Sequence, residues 1–150
     1  MKLGPENITV ILVDDDLDDC LYFQEALIEV NDNHTYLCFN SSAAVILYLN
    51  LEDTLVPDIL FLDLNMPGMD GKDCLKQIRT LRKYSGMPIA IYSTSDSDID
   101  KEETLARGAN IYVKKPNSLE KLKSILLKVL NIQWQFHQMQ LNIHTFVIAV

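Results

Sequence analysis

The stretch from Asp58 to Gly71 holds the residues of this sequence with the clearest chemical potential. A short apolar run, Ile59 to Leu62, ends directly in the carboxylate of Asp63. Such a run is too short for a helix and is typical of a strand that is covered on both faces of a parallel sheet. A proline and two glycines follow, so regular structure is broken there. We therefore expect Asp63 at the carboxyl end of a buried strand, where open α/β sheets place their ligands.

Polar side chains follow three other apolar runs in the same way. They are Asp14, Asp15 and Asp16 after the first run, Ser93 after the fourth and Lys115 after the fifth. Carboxylates that are brought together out of water repel one another, so a shared site for Asp14, Asp15 and Asp63 requires a cation. A hard divalent ion such as Mg2+ suits oxygen ligands, and an ammonium and a hydroxyl suit phosphoryl oxygens. The pattern predicts a magnesium-dependent phosphoryl-transfer centre.

The segments between these strand ends predict how the site is positioned. Apolar runs alternate with amphipathic, helix-like segments, and capping residues or glycines mark most of the helix ends. The predicted strands are 8–13, 35–39, 59–62, 89–92 and 111–113, and the predicted helices are 17–30, 42–51, 75–82, 98–107 and 119–130. This alternation predicts an α/β fold, with a doubly wound, five-stranded parallel sheet and helices on both faces.

Length, charge and cysteine content narrow the class of protein. A chain of 150 residues is long enough for one domain, and its net charge of -8 argues against a nucleic-acid surface. The three cysteines, Cys20, Cys38 and Cys74, lie far apart within apolar segments, so we interpret them as small buried hydrophobic residues rather than a disulfide or metal site. There is no leader pattern and no apolar run of membrane-spanning length. We expect a cytoplasmic protein with no membrane contact.

Four ordered motifs resemble the receiver domain of two-component response regulators, the CheY-like family. They are Val13-Asp14-Asp15-Asp16, the stretch from Leu62 to Gly71, Ser93-Thr94 and Lys115-Pro116. The resemblance covers residues 8–130 and implies a flavodoxin-like three-layer sandwich with strand order 2-1-3-4-5. It divides the chain into a receiver domain, 1–130, and a C-terminal extension of unknown structure, 131–150.

The resemblance also implies a role for each acidic residue. Asp63 would be the phosphoacceptor, and it would take a phosphoryl group from the phosphohistidine of a sensor histidine kinase or phosphotransfer protein. Mg2+ would be held by the carboxylates of Asp15 and Asp63 and by the backbone carbonyl of Asn65, while Asp14 would act through water. The cofactor implied is therefore Mg2+.

The remaining motif residues are implied to respond to the phosphoryl group. Lys115 would pair with Asp63 before phosphorylation and with the phosphoryl group afterwards, so Asp63, Lys115 and Ser93 form the reactive set. Ser93 would swing toward the new phosphate, and Tyr112 would rotate inward behind it as the second switch residue. The family usually has a cis peptide bond at the position of Lys115-Pro116, which proline tolerates.

The function that we expect is that of a stand-alone receiver that signals by phosphorylation-dependent binding to a downstream protein, or within a phosphorelay. It is not expected to be an enzyme with an external substrate, and no DNA-binding region is predicted after the receiver. Two alternatives stay open. One is a receiver-like module whose interactions do not depend on phosphate, and the other is an aspartyl-phosphate hydrolase of the haloacid dehalogenase type. That enzyme class requires a second Asp where this chain has Asn65.

The last twenty residues give a mixed pattern. They contain no Asp, Glu, Lys or Arg, and their apolar residues fit either strand alternation or one helical face made of Ile132, Phe136, Met139 and Ile143. A neutral apolar ending is an association hazard when exposed. We expect it to cover the receiver or to pair with another chain, so a homodimer is possible; a disordered or crystal-packed tail, or a non-native end of the chain, is also open.

Overall fold

The computed structural model describes residues 7–148, in which five strands alternate with five helices and two further short helices follow. The strands are β1 Thr9–Val13, β2 Thr35–Phe39, β3 Ile59–Leu62, β4 Ile89–Ser93 and β5 Ile111–Lys114. The helices are α1 Leu17–Val30, α2 Ser42–Leu49, α3 Gly71–Thr80, α4 Asp98–Ala106, α5 Leu119–Leu130, α6 Trp134–Met139 and α7 Ile143–Phe146, with a 3-10 turn at Arg82–Tyr84. Predicted and observed boundaries of the first five helices and the strands agree to within a few residues.

The five strands form one parallel sheet in the order β2-β1-β3-β4-β5. The predicted fold class and strand order are therefore confirmed. Every residue of β3 is buried, because the central strands are covered by helices on both faces. The edge strand β2 is only partly covered, and its residues are half-buried or exposed.

Two apolar layers hold the helices against the sheet. One layer packs α1 and α5 against one face, with Phe23 in contact with Phe61 and Tyr92 through edge-to-face ring contacts. The other layer packs α2 and α3 against the opposite face and contains Tyr112. The amphipathic faces predicted from the sequence therefore form the core, and the strand ends are left free at one edge of the sheet.

Side chains cap the helices whose first turns lie at the end of the sheet that carries the polar residues. Asp16 accepts hydrogen bonds from the N–H groups of Asp18 and Asp19 and begins α1. Asp70 accepts a hydrogen bond from the N–H of Asp73 and begins α3 at Gly71, four residues before the predicted start. The capped starts fix the loops after β1 and β3, which carry the acidic residues.

The cysteines differ from the sequence interpretation. Cys74 is buried as expected, but Cys20 and Cys38 are joined in a disulfide between α1 and β2. Cys38 is exposed, because β2 is an edge strand that the helices do not fully cover. The interpretation of all three as separate buried hydrophobic residues is therefore wrong for this pair.

Residues 131–148 form two short helices rather than a strand or one long helix. Phe136 and Met139, two residues of the predicted helical face, are exposed. Phe146, which was not part of that face, is fully buried. The alternation in the sequence therefore did not identify the buried side chain. Residues 1–6 and 149–150, which belong to the predicted ranges 1–130 and 131–150, lie outside the described part of the chain. Within residues 7–148, no helix has the length and apolar character needed to cross a bilayer.

Candidate functional site

Three of the predicted site residues lie one position beyond a strand, and each is fixed by a backbone hydrogen bond to a neighbouring strand. The N–H of Asp14 donates to Phe39 O at 2.9 Å, and the N–H of Asp63 donates to Val13 O at 2.9 Å. The N–H of Lys115 donates to Ser93 O at 2.7 Å. The ladder of the parallel sheet thus continues one step past its strands and aligns the three side chains at the same edge.

The structure brings the predicted acidic residues together. Carboxylate oxygens of Asp14, Asp15 and Asp63 all lie within 4.8 Å of one another. Asp14 and Asp63 are buried, whereas Asp15 is exposed and lines an open cleft of about 490 Å3 between the starts of α1 and α2. Two buried oxygens and one accessible oxygen form a ligand set that suits a hard divalent cation.

Lys115 is the positive centre of this cluster. Its Nζ lies 2.8 Å from Asp14 Oδ2, 2.8 Å from Asp19 Oδ2 and 3.5 Å from Asp63 Oδ2. The ammonium also lies 5.5 Å from the centre of the Tyr92 ring. Burial opposes the charge, but the hydrogen bonds to Asp14 and Asp19 raise the pKa of Lys115 above its ordinary value. Lys115 therefore stays charged and neutralises part of the acidic cluster.

The carboxyl group of Asp63 is held in an environment that disfavours its charge. Burial raises its pKa from 3.8 to about 6, and the charge of Asp14 acts in the same direction. Lys115 and the backbone N–H groups of Asn65 and Leu64 oppose this change. The pKa of Asp14 is also raised, chiefly by burial. Negative charge is therefore concentrated where a divalent cation or an added group can relieve it.

The loop after β3 lies against the backbone of Asp63. The N–H of Gly71 donates to Leu64 O at 2.9 Å, which folds the loop back over the strand end. A Cβ atom built on Gly71 would lie 2.1 Å from Asp63 O, so no other residue fits there without a backbone shift. Asn65, the predicted carbonyl ligand, lies in this loop and is exposed.

The predicted switch residues Ser93 and Tyr112 are both fully buried. Ser93 ends β4, next to the strand that carries Asp63, and its Oγ accepts a hydrogen bond from the N–H of Ser95 at 3.2 Å. The Tyr112 hydroxyl donates to Ser95 O at 2.9 Å. Tyr112 therefore contacts the loop after β4, which begins next to Ser93.

Two residues near the cluster were not predicted as part of the site. Asp19 is an acid in the first turn of α1, and it contacts Lys115. The available signal was its place in the run of acids that starts at Asp14 and continues into the first turn of α1. Tyr92 was assigned only to a strand, because nothing in the sequence indicates which ring a lysine from the next strand will cover.

The peptide bond between Lys115 and Pro116 is trans. The expectation of a cis bond, which the resemblance implied, is therefore wrong for this structure. The trans isomer is the lower-energy form of an X-Pro bond by roughly 0.5–1 kcal/mol. Lys115 reaches the carboxylates of Asp14, Asp19 and Asp63 with this trans bond in place.

Comparison with known protein families shows that one family model matches most of the chain. The family model for the response regulator receiver domain matches residues 10–127. The matched range runs from β1 to the last turns of α5 and contains Asp14, Asp15, Asp63, Ser93 and Lys115.

Solved structures share the fold. The phosphorylated cyanobacterial phytochrome response regulator RcpA is 24% identical, with 91% of this chain and 97% of that chain covered and a TM-score of 0.75. The chemotaxis response regulator CheY4 of Vibrio cholerae is 24% identical, with 82% and 98% covered and a TM-score of 0.71. The Mn2+-bound form of response regulator Rcp1 is 24% identical, with 81% and 91% covered and a TM-score of 0.72.

Proposed function

The chain belongs to the response regulator receiver domain family, and on this premise we propose that it accepts a phosphoryl group on Asp63. The donor would be the phosphohistidine of a sensor histidine kinase or phosphotransfer protein. A carboxylate oxygen of Asp63 attacks phosphorus, a P–O bond forms, and the P–N bond breaks with its electron pair passing to the imidazole. The observation that supports Asp63 is its position in the acidic cluster beside Lys115.

The residues around Asp63 suit the other parts of this reaction. Asp15, Asp63 and the backbone carbonyl of Asn65 would hold Mg2+, with Asp14 acting through water. When bound, Mg2+ supplies positive charge to the phosphoryl oxygens. The Lys115 ammonium would move from the carboxylates to the phosphoryl group, and the Ser93 hydroxyl would donate a hydrogen bond to it. The cluster of three carboxylates, with pKa values raised at Asp14 and Asp63, supports the cation.

The output that we propose is protein binding by the receiver. A phosphoryl group adds roughly -1.5 to -2 charges and three acceptor oxygens, which is enough to form one to three charge-assisted hydrogen bonds. Such a change can shift an equilibrium between two similar conformations but cannot rebuild the fold. A downstream protein, or a second copy of the chain in a homodimer, would recognise the shifted conformation. No turnover of an external substrate is proposed.

A small-molecule phosphodonor tests the proposal directly. The chain is incubated with acetyl phosphate or phosphoramidate and Mg2+, and its intact mass is measured with and without EDTA. We expect a mass gain of one phosphoryl group with Mg2+, little gain in EDTA, and the modified residue within 58–71 on peptide mapping. No gain in the presence of verified metal would contradict the proposal and favour the phosphate-independent module.

Magnesium is expected to stabilise the folded protein. A ligand that binds only the native state adds RT ln(1 + [L]/Kd) to the free energy of unfolding, or about 2.7 kcal/mol at one hundred times Kd. Thermal unfolding in Mg2+ and in EDTA measures this difference. Asp15→Asn should remove most of it, because Asp15 is the accessible carboxylate of the cluster.

Asp18→Asn is the matched control for this measurement. Asp18 is an exposed acid three residues further along, and it lies outside the three-carboxylate cluster. Its removal should leave the Mg2+ stabilisation within experimental error of that of the natural chain. Equal losses in both variants would show that Mg2+ acts through general screening rather than through Asp15.

A further inference from the structure

We propose that residues 131–148, the C-terminal segment, act as an intramolecular brace on the edge strand β5. In this proposal the docked segment holds Tyr112 in its buried position, so that docking and occupation of the Asp63 site by a phosphoryl group favour each other. The proposal rests on the proposed function and goes beyond it, because it assigns a regulatory role to a segment that the family match does not cover.

The segment closes the open edge of the sheet. Among residues 7–148, β5 is an outer strand of the sheet, so the N–H and C=O groups on its free side face no further strand of that sheet. The N–H of Ile148 donates to Tyr112 O at 3.0 Å, and Val147 forms a parallel bridge with Tyr112. The contact is therefore made at the same residue whose side chain reaches toward the loop after β4.

A buried aromatic residue anchors the segment at this point. Phe146 has no exposed surface, although it ends a helix of only four residues, and its ring centre lies 6.1 Å from that of Tyr112. The short helix α7 packs against α4 and β5. Its start is fixed by a capping box, in which Asn142 and Thr145 bond each other's backbone N–H groups. A helix of four residues is not stable in isolation, so these contacts are what keep α7 folded.

A second attachment holds α6 just before the start of β5. Asn110 directly precedes β5, and its side-chain amide donates to Gln138 Oε1 at 2.7 Å. The backbone carbonyl of Asn110 lies 2.7 Å from His137 Nε2. The segment is thus attached to the chain at Asn110 and at Tyr112, around the start of β5. The twenty residues from Asn131 carry no Asp, Glu, Lys or Arg, so docking desolvates none of these charged side chains in the segment.

Tyr112 connects the segment with the candidate site. Its hydroxyl donates to Ser95 O, and it also interacts with the Ser93 side chain. Outward rotation of the Tyr112 ring would break the bond to Ser95 O and would give up the ring contact with Phe146. The docked segment therefore favours the inward ring, which fixes the Ser93–Ser95 loop.

The ordered Ser93–Ser95 loop holds the Ser93 hydroxyl in a position from which it can donate a hydrogen bond to a phosphoryl group. Ser93 Oγ accepts a hydrogen bond from the N–H of Ser95 and lies beside the Tyr112 side chain, so its hydroxyl can still rotate and donate to a stronger acceptor on the neighbouring strand. A phosphoryl group on Asp63 would supply such an acceptor. Because coupling between two sites is reciprocal, the segment should increase the affinity of the site for a phosphoryl group, and the phosphoryl group should increase protection of the segment.

Beryllofluoride with Mg2+ is the probe for this coupling, because it mimics a phosphoryl group without covalent reaction. Phe146→Ala in the full chain should weaken beryllofluoride binding at least fivefold. Phe136→Ala is the matched control, since it removes the same side chain from an exposed position of the same segment, and it should change affinity less than twofold. Circular dichroism at the assay temperature confirms that each variant is folded.

Two further measurements separate coupling from general loosening. Beryllofluoride should slow hydrogen exchange at the N–H of Ile148 in the natural chain. In a Tyr112→Phe background, which keeps the ring but loses the bond to Ser95, Phe146→Ala should have a smaller effect on affinity. Unchanged or faster exchange at Ile148, an equal effect in both backgrounds, or affinity of the Phe146→Ala chain within twofold of the natural chain would overturn the inference.

The proposed function and the inference fail in different ways. A natural chain that binds no beryllofluoride and takes up no phosphoryl group contradicts both. A natural chain that takes up the phosphoryl group, while Phe146→Ala binds beryllofluoride equally well, contradicts the inference alone.

Discussion

An Asp63→Asn chain is expected to gain no phosphoryl group and, in EDTA at pH 7, to be more stable than the natural chain. The amide lacks the carboxylate nucleophile, so no acyl phosphate can form. The amide also lacks the charge that burial disfavours at this position. One substitution should therefore move activity and stability in opposite directions, a combination that simple misfolding does not produce.

The stability gain should depend on pH with a definite sign. Because the pKa of Asp63 is raised from 3.8 to about 6, the folded chain binds a proton more tightly than the unfolded chain across that interval. Stability of the natural chain therefore falls as pH rises through this window, whereas Asp63→Asn lacks this contribution. The full difference corresponds to about 3 kcal/mol, and we expect about 1 to 3 kcal/mol because an amide does not reproduce every contact of a protonated carboxyl group.

Urea unfolding in EDTA between pH 4 and pH 7 measures this difference. The gain of Asp63→Asn over the natural chain should grow across the interval and level off near pH 7. Asp32→Asn, which changes an exposed acid, is the control and should alter stability only slightly. A less stable Asp63→Asn chain, or a constant offset, would contradict the burial of an ionised Asp63.

Lys115→Met should have the other large effect, on both reaction rate and stability. The substitution leaves Asp14, Asp19 and Asp63 without their shared ammonium. Removing one partner of a buried ion pair typically costs about 3–5 kcal/mol. Lys115 also lowers the pKa of Asp63, so without it less of the nucleophile is ionised at pH 7. We expect phosphorylation by a small donor to slow at least tenfold.

Magnesium should partly restore the stability of Lys115→Met, because a bound cation replaces the missing positive charge. The comparison is made by urea unfolding in EDTA and in saturating Mg2+, together with the rate of mass gain. Lys123→Met is the matched control, since Lys123 pairs with the more exposed Glu29 and Glu120 and such pairs contribute roughly 0–1 kcal/mol. A phosphorylation rate within twofold of the natural chain would remove Lys115 from the reactive set.

The cluster of acids could be predicted from the sequence because its geometry depends mainly on the backbone. Asp14, Asp63 and Lys115 each follow an apolar run, and parallel strands bring such positions to one edge. The contacts of Asp19 and Tyr92 with Lys115 depend instead on the direction of side chains from different elements. Hydrophobic periodicity has no information on that direction, so these two partners were missed.

The disulfide and the C-terminal segment escaped prediction for related reasons. Cys38 belongs to a strand whose apolar sequence suggests burial, but the strand lies at the edge of the sheet. In the segment, Phe136 and Phe146 are equally apolar, and only the position of β5 decides that Phe146 is the buried one. The local hydrophobic pattern identifies the residues that can be buried. The strand order of the sheet and the path of the chain decide which of these residues are buried.

The close approach of Gly71 to the backbone of Asp63 limits how this protein can vary in evolution or design. The main chain of Asp63 is held on its other side by the hydrogen bond to Val13 O, so it cannot retreat from an added methyl group. A larger residue at position 71 would displace the backbone carbonyl of Asp63, and with it the start of the loop after β3. In a saturation library selected for signalling, this position should tolerate glycine alone, although it bears no reactive group.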